Sequence, residues 1–236
     1  MPLRAIESQR LYQQVATQIA DMIRRGEWAA GERLPPERNI AQLLGVSRPT
    51  VREAMLALEL SGVVDVRTGA GTYVRRWTET TPPQNAANAD SGPSPFEVIA
   101  ARKVVEGELA FLAATRMSQD DVTFLGSAII RLEREATLGT HECLDVQNAD
   151  VAFHMRIATV AGNSVLESIV RNLWDTMRSP LFSAFDSSMH LALNATNSVG
   201  EHRVILARLA DNDADGAREA MHHHLDSVER YLLRDN

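Results

Sequence analysis

Residues 36–76, PERNIAQLLGVSRPTVREAMLALELSGVVDVRTGAGTYVRR, constrain this chain most. Ile40, Leu43 and Leu44 share one side of a short helical repeat, and Gly45-Val46-Ser47 makes a tight turn. Val51, Met55 and Leu58 then recur at helical spacing, while Arg48, Thr50 and Arg52 point elsewhere. Gly45 suits a helix end that needs a left-handed backbone. Ser47 can cap the next helix, and Pro49 is tolerated in a first turn, where amide donors have no intrahelical partner. Past Ser61-Gly62, two extended runs, 63–66 and 72–74, flank Thr68-Gly69-Ala70-Gly71, which reads as a hairpin tip. A helix-turn-helix followed by such a wing predicts a DNA reader, its second helix facing base edges in the major groove. Glycines at the tip would let backbone approach a minor groove or a phosphate. The two helices alone could also form an ordinary helical hairpin; the order of turn, helix and glycine-rich hairpin argues against that.

Charge is distributed to match. The whole chain holds 24 Lys and Arg against 31 Asp and Glu, which does not suggest a nucleic-acid binder. Residues 1–76, however, hold 11 basic and 8 acidic side chains, leaving 13 against 23 in the remainder. The basic excess lies where phosphates must be met, and the acidic part must do something else. A single cysteine, Cys143, excludes an internal disulfide framework and fits a reducing cytoplasm. No signal peptide is apparent, and no apolar stretch approaches the roughly 18–20 residues of a membrane helix. A soluble, cytoplasmic, two-domain protein is expected.

The N-terminal module resembles the GntR family of bacterial transcriptional regulators. The resemblance is carried by Leu11-Tyr12-Gln13-Gln14-Val15, Gly31-Glu32-Arg33-Leu34-Pro35-Pro36-Glu37-Arg38, the run from Val46 to Ala54, and Gly69-Ala70-Gly71-Thr72. It implies DNA contacts from Arg38, Arg48 and Arg52, a wing-tip entry at Gly69, and a phosphate or base contact from Thr50. Arginine is the usual bidentate reader of guanine, and hydroxyls hold phosphates. Pro36 stands where the family often has Ser, so that helix loses a side-chain cap and gains a residue suited to a first turn.

Residues 77–95, WTETTPPQNAANADSGPSP, read as a linker between a DNA-binding domain at 8–76 and a second domain at 96–236. Helical segments are expected at 96–116, 119–137, 142–161, 164–178, 180–194 and 197–234, the last broken near 211–215, giving a bundle of about six or seven helices. The fold class is therefore mainly α, a winged helix-turn-helix plus an all-helical bundle. Leu109, Leu112 and Ala113 form one apolar stripe, Val165, Ile169 and Leu173 another, and Ser118 and Asn163 are plausible caps. Trp28, Trp77 and Trp174 are expected in cores or interfaces, Cys143 as a packing residue, and His141 and His190 at surfaces or boundaries.

This half is similar to the FCD ligand-binding domain of the FadR-like branch of that family, through Ala101-Arg102 with Glu106, Asp150 to His154, Ala161-Gly162-Asn163, Glu201-His202, and Ala217 to Leu225. Asp150 and His154 share a helix face, a spacing that ordinarily makes a surface hydrogen bond. The resemblance instead implies metal ligands at Asp150, His154, His202 and His224, and one carboxylate with three imidazoles suits zinc, nickel or another divalent transition metal. His222 and His223 would point about 100° and 200° away, as solvated or supporting groups. A small carboxylate effector is implied, with Arg102 as its guanidinium fork, although Arg102 could simply pair with Glu106 at i+4. Arg156 and Asn163 are weaker effector-binding candidates.

The resulting expectation is a homodimeric regulator, a repressor in the commonest family mode, that reads a pseudo-palindromic operator in double-stranded DNA and answers to a metabolite. Two alternatives stay open: a regulator whose metal is the signal or purely structural, and, less favoured, a metal-dependent enzyme.

Overall fold

The computed structural model of the chain describes residues 10–67, 69–76, 93–138, 143–177 and 195–233. They divide into two compact units that meet in sequence between Ser94 and Pro95.

The first unit contains α1 (Leu11–Arg24), α2 (Glu37–Leu44), α3 (Arg48–Leu60), β1 (Val64–Arg67) and β2 (Gly71–Val74). Helix α1 buries Tyr12, Val15, Ala16, Ile19 and Ile23, a stripe at i, i+3 and i+4 spacing that packs against α3. The turn is built as its residues demand. Gly45 ends α2 with φ 65°, and Ser47 caps α3 by accepting from Thr50 N at 3.3 Å. Val51, Met55 and Leu58 are buried as expected. Leu43 is not: it is 80% exposed, and Ile40 and Ala41 supply the buried face of α2. Helix α2 starts at Glu37 with no side-chain cap, as anticipated, and Pro36 stands at the N-cap with extended backbone, just before the first turn rather than in it.

Strands β1 and β2 pair antiparallel from Val64↔Val74 to Arg67↔Gly71. The chain before α2 joins them: Gly31 N donates to Val74 O at 2.8 Å, Val74 N to Glu32 O at 2.9 Å, and Leu34 N to Thr72 O at 2.8 Å. These bonds tie the wing to the segment that leads into the helix-turn-helix.

The second unit contains α4 (Pro95–Ala114), α5 (Gln119–Leu138), α6 (Cys143–Val160), α7 (Ser164–Thr176), α8 (Ala195–Ala210) and α9 (Ala214–Leu232). The expected 180–194 helix, Trp77, His141 and His190 lie outside the described residues, as does the Cys143 side chain. Leu109, Leu125, Ile129, Phe153, Ile157, Ile205, Leu209, Met221 and Leu225 form one continuous core. Ser118 and Asn163 do cap α5 and α7, Asn163 Oδ1 accepting from Val165 N and Leu166 N. The break expected near 211–215 falls at Asn212, φ 55°, with Asp213 capping α9. No helix among the described residues is long and apolar enough to cross a membrane.

Two packing details depart from periodicity. Val165 and Ile169 are 68% and 39% exposed, and the buried face of α7 is Val170 and Trp174, with Leu166 packed beside them. That helix carries two apolar stripes, and burying the indole removes more apolar area from water. Gly107, in the middle of α4, admits the His222 ring of α9; a Cβ there would overlap the imidazole. The close approach of α4 and α9 depends on that glycine.

Ser47→Ala should cost about 1 kcal/mol through loss of the α3 cap. Leu125→Ala, at a fully buried position, should cost about 2–5 kcal/mol. Denaturation midpoints of the two variants check both values.

Candidate functional site

The first unit has one concave, arginine-rich face. A cavity of about 430 Å³ is lined by Arg33, Arg38, Arg48, Arg52, Gly69 and Gly71 among others. Four of the five residues expected to meet DNA are thus on one surface. Thr50 sits on the first turn of α3, its hydroxyl 2.8 Å from Ser47 Oγ. Arg52 lies 3.8 Å from Glu37 Oε2, which orients it across the concavity. Gly69, φ 71°, takes the left-handed turn at the wing tip, and Ala70 N closes it onto Arg67 O at 2.9 Å.

The second unit brings Asp150 and His154 of α6, His202 of α8 and His224 of α9 together. One donor atom from each lies within 4.8 Å of the other three. His154, His202 and His224 are at most 2% exposed. Asp150 is partly exposed, but its Oδ1 is buried, 2.9 Å from His202 Nε2 and 3.6 Å from His154 Nε2. With the rings in the neutral Nδ1–H form, neither imidazole can donate to Asp150 Oδ1, and these three atoms are left without a hydrogen-bond partner. Buried polar atoms left this way cost about 1–3 kcal/mol each, so their convergence needs a reason. A transition-metal ion fits: at about 2.0–2.2 Å from each donor it spans opposite ligands about 4.2 Å apart.

The outer ring nitrogens are held from behind. His202 Nδ1 donates to the Ser198 carbonyl at 2.7 Å, and His224 Nδ1 donates to Glu201 Oε2 at 2.9 Å. His154 Nδ1 lies 2.5 Å from Glu106 Oε2. A proton kept on Nδ1 leaves the Nε2 lone pair of a neutral imidazole pointing inward, the tautomer a metal needs. Phe153 packs edge-on against His202 at 4.7 Å, and Trp174 lies 5.3 Å from His154, which keeps both rings in place.

Electrostatics in the cluster are strongly coupled. Burial opposes charge on Asp150, yet the two imidazoles beside it hold its carboxyl well below the ordinary range. Burial likewise opposes charge on Glu106, but Arg102 and His154 bring it down to about 2. Desolvation pushes His224 down to about 4, helped by His202 and His154, so it is neutral at pH 7. His154 goes the other way: burial lowers it, and Glu106 with Asp150 raises it further.

Of the effector candidates, Arg102 alone adjoins this cluster. It is 2% exposed, pairs with Glu106 Oε1 at 2.7 Å, and stacks 3.9 Å over the Trp174 ring. The i+4 pair and the place beside the histidines are therefore both present. Arg156 lies two residues beyond His154, about 200° round the helix, and binds Asp121 at 2.6 Å. Asn163 is exposed and occupied in capping α7. His222 occupies the Gly107 seat and His223 is exposed.

Glu106 and Glu201 were not singled out from sequence as site residues. Glu106 reads there only as a helical partner of Arg102, and Glu201 only as the neighbour of His202. Which ring nitrogen a carboxylate will meet has no sequence signal.

Comparison with known proteins agrees with this two-part construction. Residues 11–74 match the family described as bacterial regulatory proteins, gntR family, and residues 97–227 match the FCD domain. The Uxu operon transcriptional regulator of Escherichia coli K12 is 36% identical over 234 residues, 97% of this chain and 89% of the relative. The Exu regulon transcriptional regulator of the same strain is 32% identical over 237 residues, 97% and 87% of the respective chains. Among solved structures, Escherichia coli McbR/YncC shares the fold with a TM-score of 0.51 at 20% identity, covering 95% of this chain and 97% of that one.

Arg48→Ala and Arg52→Ala should each weaken binding to a selected duplex by about 1–3 kcal/mol and relax base preference. Anisotropy titrations against matched and mismatched duplexes check this; unchanged affinity in both variants would take the α3 assignment away.

Proposed function

The chain belongs to the GntR family of bacterial transcriptional regulators and carries an FCD domain, and from that premise we propose that it is a metal-containing, carboxylate-responsive regulator acting as a homodimer on a pseudo-palindromic operator. Its curated relatives are transcriptional regulators, so DNA binding and not catalysis is its activity. Arg38, Arg48, Thr50 and Arg52 would read and hold the duplex while Gly69 approaches the minor groove.

The observation that carries the metal reading is the set of inward-facing, unpaired buried donors of Asp150, His154 and His202 beside His224. Charge supports it. A metal on the inward nitrogens displaces any proton there and leaves the imidazoles neutral; Asp150, Glu106 and Glu201 then contribute three negative charges and Arg102 one positive. The two-charge excess is what a divalent cation neutralises. Four protein ligands on a zinc or nickel ion that accepts five or six leave a position for a carboxylate oxygen. Arg102, beside His154 through Glu106, is the cation that would meet the rest of that anion.

An effector can shift the regulator only by binding its DNA-competent and DNA-incompetent states unequally. In the repressor mode, the carboxylate favours the state with lower operator affinity.

His154→Ala should abolish retention of the metal while operator binding by the winged module survives; full metal occupancy in that variant, read by elemental analysis, would show the ligand set to be wrong. Thermal-shift screening of small carboxylic acids should find stabilisers that work only on metal-loaded protein, by about 2.7 kcal/mol at a hundred times Kd. If stripping the metal destabilises the protein and no acid stabilises it, the metal is structural or is itself the signal.

A further inference from the structure

The DNA-facing concavity contains a cation that the helix-turn-helix does not account for. Arg33 precedes α2, in the segment that pairs with β2, and is exposed. It lines the same cavity as Arg38, Arg48, Arg52 and Gly69. It makes no ion pair among the described residues. The wing's other arginines are engaged: Arg67 stacks 4.3 Å over Tyr73, and Arg75 lies 3.3 Å from Asp65.

The Arg33 side chain also has a seat. Gly71 opens β2 with φ 102°, and a Cβ there would stand 2.6 Å from Arg33 Nε and 2.9 Å from Nη2. The guanidinium therefore lies in the space that the missing side chain leaves, two residues from the wing tip. The Leu34 N to Thr72 O and Val74 N to Glu32 O bonds on either side fix its backbone to the wing. A cation held this way surrenders little additional freedom when it meets a ligand.

We propose that Arg33 binds a backbone phosphate of DNA beside the groove that the wing enters, as a positioning contact that carries no base preference. A phosphodiester offers two non-bridging oxygens to a planar fork of donors, a match that arginine makes better than lysine. Phosphate contacts of this kind fix register and orientation on the duplex. The contact rests on the DNA-binding reading and adds a residue outside those that read bases from α3.

The test is anisotropy of a labelled random-sequence duplex with the full chain across a salt series. Arg33→Ala should weaken binding and lower the slope of log K against log salt by about 0.9 for each winged module on the duplex, about 1.8 for a dimer seated through both, so that the affinity lost between 50 and 200 mM salt shrinks by about 3.5-fold per module. Arg33→Lys should restore most of the slope and less of the affinity. Arg25→Ala makes the same charge change at an exposed residue after α1, outside the concavity, and should leave the slope unchanged. A wild-type slope in Arg33→Ala overturns the proposal. So does an equal drop in Arg25→Ala, which would mean net charge and no specific contact. Arg48→Ala separates the two levels: if it weakens binding while Arg33→Ala does not, only the Arg33 contact falls, and if neither does, the DNA face itself is misassigned. Because Arg33 is exposed, unchanged melting temperatures confirm that the variants are folded.

Discussion

The orientation of three buried imidazoles is the constraint on which the second unit depends. Each ring could turn either nitrogen inward, and only the acceptors behind them decide. The Ser198 carbonyl, Glu201 and Glu106 take the Nδ1 side of His202, His224 and His154, and the Nε2 atoms of His202 and His154 face Asp150 Oδ1. Asp150 reaches the same centre from one turn before His154. Without a cation, that arrangement leaves buried donors and acceptors unmatched, a cost that packing alone does not offset. The apolar core around Phe153 then acts as the frame that sets distances between α6, α8 and α9.

A comparable logic of missing atoms governs the first unit. Gly45 permits the turn that sets α3 against α2, and Gly71 leaves room for Arg33 under the wing. Gly107 does the same for His222 between α4 and α9. In each case a side chain would displace either a turn or a charged or aromatic ring. The two units share that device and otherwise differ in chemistry: one lines a concave face with exposed and half-buried arginines, the other conceals carboxylates and imidazoles from water.

Much of this was legible in residue order. The Gly45-Val46-Ser47 turn, the caps at Ser47, Ser118 and Asn163, and the glycine-rich wing follow from local chemistry, which acts over a few residues. The Asp150–His154 pair is legible as a helix spacing, whereas its meeting with His202 and His224 depends on how three helices pack, and only family resemblance pointed to it. Periodicity misplaced Leu43 and the Val165–Ile169 stripe because a helix with two apolar faces buries the one whose partner fits, here Val170 and Trp174. Arg102 was ambiguous between a helical ion pair and an effector fork, and the structure puts both possibilities in one place by burying the pair against His154.

X-ray absorption spectroscopy on zinc- or nickel-loaded full-length protein tests the central claim most directly. The account predicts three imidazole nitrogens and at least one oxygen at about 2.0–2.2 Å from the metal, with no sulfur. A first shell with fewer than two imidazoles, or one containing the thiolate of Cys143, would contradict it.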